Sequence, residues 1–81
     1  MPVRLSRRAL KDLSELPAPL QEKAREILAR LDADPNQGKK LLGALKGLRS
    51  ARLGSSYRIL YGLEASGPVV RTILPRRDAY R

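Results

Sequence analysis

The chain has no cysteine and no histidine, and only 8 acidic residues against 17 lysines and arginines. Without cysteine, neither a disulfide nor a thiolate metal site can reinforce the fold. Without histidine, the usual general base, the usual proton shuttle and the commonest metal ligand are missing. Zinc hydrolases and Ser-His-Asp triads are thereby excluded. No apolar run approaches the ~20 residues of a membrane span, and no signal peptide opens the chain. Phosphate-binding Gly-rich loops, dinucleotide glycine fingerprints and zinc-finger spacings are also absent. These absences point to a soluble, cytoplasmic protein with no metal and no cofactor.

What is present is enough for one folded domain, residues 1–81, with 42% hydrophobic and 31% charged residues. A chain of this length buries only about 60–65% of its unfolded surface, so its core is small. The net charge is +9, and it is unevenly placed. Residues 1–38 hold seven basic and six acidic residues, whereas residues 39–81 hold ten basic and two acidic. A one-sided field of this kind favours a polyanionic partner, either nucleic acid or an acidic protein.

Hydrophobic periodicity divides the chain. Val3 to Leu5 alternates as a short strand beside Pro2. Ser6 is an N-cap for a helix to Leu16, with Ala9, Leu10, Leu13 and Leu16 at helical spacing. Leu16-Pro17-Ala18-Pro19 ends it, because a residue before proline avoids the helical region. A second helix starts with Pro19 in its first turn and runs to about Leu31, carrying a stripe of Leu20, Ala24, Ile27, Leu28 and Leu31. Asp34 to Gly38 stops it. Over residues 39–47, Leu41, Leu45 and Leu48 fit one helical face, while glycines at 38, 43 and 47 favour a loop that docks its leucines; the loop is preferred. The period then becomes two. Leu48–Leu53, a stretch from Tyr57 to Leu63, and Val69–Leu74 predict three strands, turning at Gly54-Ser55-Ser56 and at residues 64–68, with Pro75 ending the last. On these strands Tyr57, Ile59, Tyr61 and Leu63 share one face, and Val70, Thr72 and Leu74 oppose Val69, Arg71 and Ile73. The order β-α-α-β-β-β predicts an α+β fold, an N-terminal strand and an αα-hairpin packed on a small antiparallel sheet.

In this layout Arg52, Arg58 and Arg76 lie on or just beyond neighbouring strands, which run only ~4.8 Å apart. Arginines on one face can therefore converge, and guanidinium binds phosphate bidentately. Tyr80 adds a ring that stacks a base or a phenol that exchanges a proton. Lys39, Lys40, Lys46, Arg49, Arg77 and Arg81 extend the basic surface towards a nucleic-acid backbone. Arg71 suits a solvated edge, and Tyr57 and Tyr61 suit the core. Arg58 interrupts the apolar run Tyr57 to Tyr61, either as half of an ion pair or as a functional group; clustered charge favours function.

Leu45-Lys46-Gly47-Leu48, followed by Arg52-Leu53-Gly54-Ser55-Ser56-Tyr57-Arg58-Ile59-Leu60-Tyr61, resembles the L-x-G…R-x-G-x-Y-R-x-x-Y core of the RelE/ParE toxin superfamily. Ile73-Leu74-Pro75-Arg76-Arg77-Asp78-Ala79-Tyr80-Arg81 is similar to the closing strand and H-R-R-D-x-Y tail of RelE-type toxins, and Ser6 to Leu13 with Leu16-Pro17 matches the family's opening. The resemblance implies the toxin of a toxin–antitoxin pair, with an antitoxin as partner. For the RelE branch it implies entry into the ribosomal A site and an endoribonuclease that cuts mRNA by 2′-OH attack on the adjacent phosphate. Carried over, Arg58 would hold the scissile phosphate, Arg76 would stabilise it or act as acid, Tyr80 would orient the nucleotide, and Arg52 would occupy a basic strand position. Pro75 departs from the usual His or Lys, and Ser50 stands where some ribonucleases carry a second basic residue, which leaves the general base open. The alternative is the ParE branch, a DNA gyrase poison without nuclease activity.

Overall fold

In the computed structural model, which describes residues 3–78, the chain begins with a two-residue strand, β1 (Arg4–Leu5), and two helices, α1 (Arg7–Ser14) and α2 (Ala18–Ala33). It continues through β2 (Lys39–Lys40), a 3-10 turn at Gly43–Leu45, β3 (Leu48–Leu53), β4 (Tyr57–Glu64) and β5 (Gly67–Pro75), followed by a 3-10 turn at Arg76–Asp78. The strands form one sheet in the order β1-β5-β4-β3-β2. Strand β1 runs parallel to β5 and the other neighbours are antiparallel, so the sheet is mixed. The α+β layout predicted from periodicity is therefore the one observed, enlarged by one short strand.

Ser6 caps α1 as its position predicts. Its Oγ accepts the Ala9 N–H at 3.1 Å, and the same hydroxyl donates to the Arg71 carbonyl at 2.8 Å. The Ser6 N–H also donates to the Val70 carbonyl, so the helix start continues the pairing of β1 along β5. The buried side of α1 is Ala9, Leu13 and Leu16; Leu10, one step round the helix, is 55% exposed and leaves the predicted stripe. The Pro-rich corner is tied by Gln21, whose side-chain amide donates to the Ser14 and Leu16 carbonyls. Helix α2 then lays Leu20, Ala24, Ile27, Leu28 and Leu31 against the sheet as its stripe predicts.

The facing layer is Ala51, Leu53, Ile59, Tyr61, Val70 and Ile73, with Tyr57 against it. Full burial of one such aliphatic side chain stabilises the fold by about 1.5–3 kcal/mol. Val70 and Ile73 share this face although strict alternation would separate them. Ile59 pairs with Ile73 and Leu60 with Thr72, but Tyr61 pairs with Val70. Arg71 is the extra residue, a β-bulge that resets which side chains face the helices. The predicted alternation of the last strand is corrected accordingly. Strand β5 starts at Gly67, so Pro68 lies within it, and it ends at Pro75 as predicted.

Residues 39–47 differ from the predicted loop. Lys39 pairs with Ser50 and Lys40 with Arg49, giving β2 at the sheet edge. Two consecutive lysines suit an edge strand, since charge there discourages pairing with another chain. The anchor is Tyr61. Its side chain is fully buried, its hydroxyl donates to the Pro35 carbonyl at 2.8 Å, and it accepts the Gly38 N–H at 2.9 Å. A Cβ at Gly38 would run into the Tyr61 ring, so close approach requires glycine there.

Candidate functional site

Residues paired across the sheet share a face. Ala51 pairs with Ile59 and faces the helices, so the neighbouring pair Arg52 and Arg58 faces away from them. So do Ser50, Leu60 and Thr72, and so does Lys39 opposite Ser50. Directly opposed residues on antiparallel strands have Cα atoms only about 4.5–5.5 Å apart. Two guanidinium groups are thus rooted side by side, with a lysine one register step away.

Like charges placed directly opposite are destabilising. Among the described residues neither arginine forms an ion pair, although Glu26 on α2 lines a cleft with Arg52. Glu64 is engaged with Arg71 at 2.7 Å and with Arg4 at 3.8 Å. Asp12 accepts from Arg8 at 3.1 Å, from the Thr72 hydroxyl at 2.8 Å and from the Ile73 N–H at 3.0 Å. Glu22 pairs with Arg25 at 3.2 Å. The Arg58 Nε is buried and has no hydrogen-bond partner among the described residues. A buried donor left unmade costs about 1–3 kcal/mol, so the position asks for an acceptor.

A cleft of about 360 Å³ opens at this point, where β3 runs past the end of β2. Arg52, Arg58, Lys39, Arg30, Gln37 and Ser50 supply its polar lining. Arg30 and Gln37 were invisible to a strand-by-strand reading, because α2 and the turn after it reach this edge only through the tertiary fold. Arg76 lies one residue beyond Pro75, which pairs with Tyr57. It lines a separate cleft with Ser56, Tyr57 and Arg77, at the same end of β4 as Arg58. Lys40, Lys46 and Arg49 lie elsewhere, around a third cleft at the opposite end of β3. The Arg49 guanidinium, through Nη1, donates to the Asn36 and Gly38 carbonyls at 3.0 and 2.8 Å, which holds the turn before β2. Tyr80 and Arg81 lie outside the described residues.

Burial raises the Tyr61 pKa above its usual value of 10.0; the Gly38 hydrogen bond and the nearby Arg49 charge oppose the shift. Among the described residues, no three acidic side chains gather where they would hold a metal ion. No helix among them is long and apolar enough to cross a membrane.

Two helices packed on a five-stranded mixed sheet is the architecture of RelE- and YoeB-type toxin structures. The chain belongs to the ParE toxin family of type II toxin–antitoxin systems, whose profile matches residues 3–80. It is 32% identical to a chain in the crystal structure of the toxin–antitoxin complex RelBE2 from Mycobacterium tuberculosis, with a TM-score of 0.80 over 91% of this chain and 95% of that one. The fold recurs at 20% identity in the YoeB/ParE toxin from Agrobacterium tumefaciens, TM-score 0.81 over 94% and 99% of the two chains. It recurs again at 14% identity in YafQ from Escherichia coli, TM-score 0.80 over 98% and 97%. No curated protein sequence matches the chain.

Proposed function

We propose that this toxin is a ribosome-dependent mRNA endoribonuclease, neutralised by a cognate antitoxin. The observation that carries the reading is the opposed pair Arg52 and Arg58, which forms no ion pair among the described residues, with a buried Arg58 Nε that has no hydrogen-bond partner among them. A phosphate diester supplies what that pair lacks, two acceptor oxygens and a negative charge.

In-line attack by a ribose 2′-OH builds charge on the non-bridging phosphate oxygens. A guanidinium fixed on a strand stabilises that charge more in the transition state than in the ground state. Arg58 therefore clamps the scissile phosphate and Arg52 flanks it, while Arg76 reaches the substrate from the same end of the sheet. Arginine effectively never gives up its proton, so the clamp needs a different group for proton transfer. Lys39 is the one amine lining the Arg52–Arg58 cleft among the described residues. It stands beside Ser50, the position that lacks a basic side chain, and supplies from β2 a group that can exchange a proton. Tyr80 in the tail is the second candidate for that role. Arg77 and Arg81 extend the basic surface along the RNA.

The test is cell-free translation with the purified toxin, mapping mRNA ends by primer extension. Cuts confined to translated mRNA support the reading. The second reading, poisoning of DNA gyrase, draws on the ParE profile match. Intact mRNA together with gyrase-trapped DNA breaks would decide for it.

A further inference from the structure

Strand β2 ends opposite Ser50, so from Ala51 to Leu53 the outer edge of β3 has no neighbouring strand. Two adjacent clefts meet at this edge, where α2 runs past β3. The first, of about 360 Å³, is the one that holds Arg58. The second, of about 320 Å³, lies towards the start of α2, where Lys23, Glu26 and Gly54 line it. Ile27, Arg30 and Arg52 line both clefts. Arg30 and Arg52 thus form a ridge between the two openings, one guanidinium rooted on the helix and the other on the strand. Lys23, Arg30 and Arg52 are all exposed, and none forms an ion pair among the described residues.

We propose that the RNA strand held at Arg58 continues over this ridge into the second cleft, where Arg30 and Lys23 bind phosphates beyond the scissile one. The proposal rests on the ribonuclease reading above and adds the path of the substrate; Arg30 is a positioning residue in it. The composition of the ridge selects the occupant. The two linings hold five cationic side chains against one carboxylate, and their aliphatic side chains are Ile27 and Ala51 alone. An amphipathic protein segment needs an apolar stripe to bury against, which this surface does not offer. A row of ammonium and guanidinium groups suits a phosphate backbone, whose binding is carried by charge. Glu26 is the informative exception. It stands four residues before Arg30, a spacing that allows a helical ion pair, yet no such pair forms among the described residues. Its free charge opposes a phosphate in the second cleft, so neutralising it should tighten RNA binding.

The experiment measures binding of the intact toxin to fully 2′-O-methylated RNA oligonucleotides, which keep every phosphate and cannot be cut by 2′-OH attack. Native affinity should rise as the oligonucleotide is lengthened from a dinucleotide. Arg30→Gln should leave the dinucleotide unaffected, weaken the longer strands about three- to tenfold and lower their log–log salt slope by about 0.7, the loss of one phosphate contact. Arg30→Lys should restore most of the affinity, and Glu26→Gln should raise it above native. In cell-free translation Arg30→Gln should raise KM for programmed ribosomes more than it lowers kcat. A long-strand affinity within about twofold of native for Arg30→Gln overturns the proposal. So does an equal loss on the dinucleotide and the long strand. A loss seen only on ribosomes overturns it in favour of ribosomal RNA, and one seen only in the antitoxin complex overturns it in favour of a protein contact. The two readings fail separately. A toxin that shows the Arg30-dependent gain with length yet cuts no mRNA sinks the nuclease and leaves the RNA path standing. Native cleavage without that gain does the reverse.

Discussion

Two sets of arginines sit on or beside the same sheet and keep different company. Along the β1–β5 edge, Arg4 and Arg71 share Glu64, and Arg8 pairs with Asp12. On β3 and β4, Arg52 and Arg58 face one another and neither forms an ion pair among the described residues. The first set satisfies itself and closes the fold. The second carries a like-charge repulsion that costs stability. Under the proposed function an anionic phosphate relieves it.

The largest effect that would break this contrast is at Arg58. Arg58→Ala should lower mRNA cleavage by about two to three orders of magnitude, roughly 3–4 kcal/mol of transition-state stabilisation. Removing the like charge opposite Arg52 should at the same time leave stability to urea unchanged or raise it by up to about 1 kcal/mol. A folded Arg58→Ala toxin with native cleavage would place the site elsewhere. A variant that unfolds would return Arg58 to the structural set.

Next comes Asp12, whose carboxylate caps the edge of β5 where β1 has ended. Asp12→Ala leaves the Ile73 N–H and the Thr72 hydroxyl without that acceptor and should cost about 1–3 kcal/mol, read as a lower urea midpoint with an unaltered slope.

Tyr61→Phe removes both bonds to the turn before β2, at about 1 kcal/mol each. It also carries a pH signature. Burial makes the phenol harder to ionise in the folded state than in the unfolded chain. The neutral form thus stabilises the fold below the ordinary value of 10.0, and that contribution is lost as pH rises past it. Thermal melts at pH 9 and pH 11 should show a larger alkaline loss for the native toxin than for Tyr61→Phe.

The smallest effect is at Arg71, whose side chain is 52% exposed beside a 41% exposed Glu64. Arg71→Gln should change stability by less than about 1 kcal/mol and leave cleavage intact, as exposed ion pairs contribute little. A large loss of cleavage there would erase the distinction between the two sets.

Much of this was legible in the sequence because it is local. The Ser6 cap, the leucine stripe of α2 and the alternation of β4 each depend on residues a few positions apart. The RelE/ParE resemblance of the Arg52–Tyr61 stretch follows from the same segment. What stayed hidden depends on partners far along the chain. Nothing near Arg71 signals a bulge, since its register is set by how β4 and β5 pack over α1. Lys39 and Lys40 become a strand because Tyr61 and Arg49, 23 and 11 residues beyond Gly38, hold the turn before them. Arg49 itself was placed on the nucleic-acid surface, and its guanidinium turned out to bind two backbone carbonyls. The opposition of Arg52 and Arg58, by contrast, could have been counted from the turn, because the observed register is symmetric about Ser55.

The two-residue strand β1 pairs with residues 69 and 70, which sit on a strand flanked by β1 on one side and β4 on the other. The first strand therefore finds its partner only once synthesis has run 65 residues on, from Arg4 to Val69. Long-range pairing of this kind folds slowly compared with local contacts. Until β5 has emerged, the sheet lacks the strand that joins β1 to β4. The topology thus ties completion of the sheet to the emergence of β5.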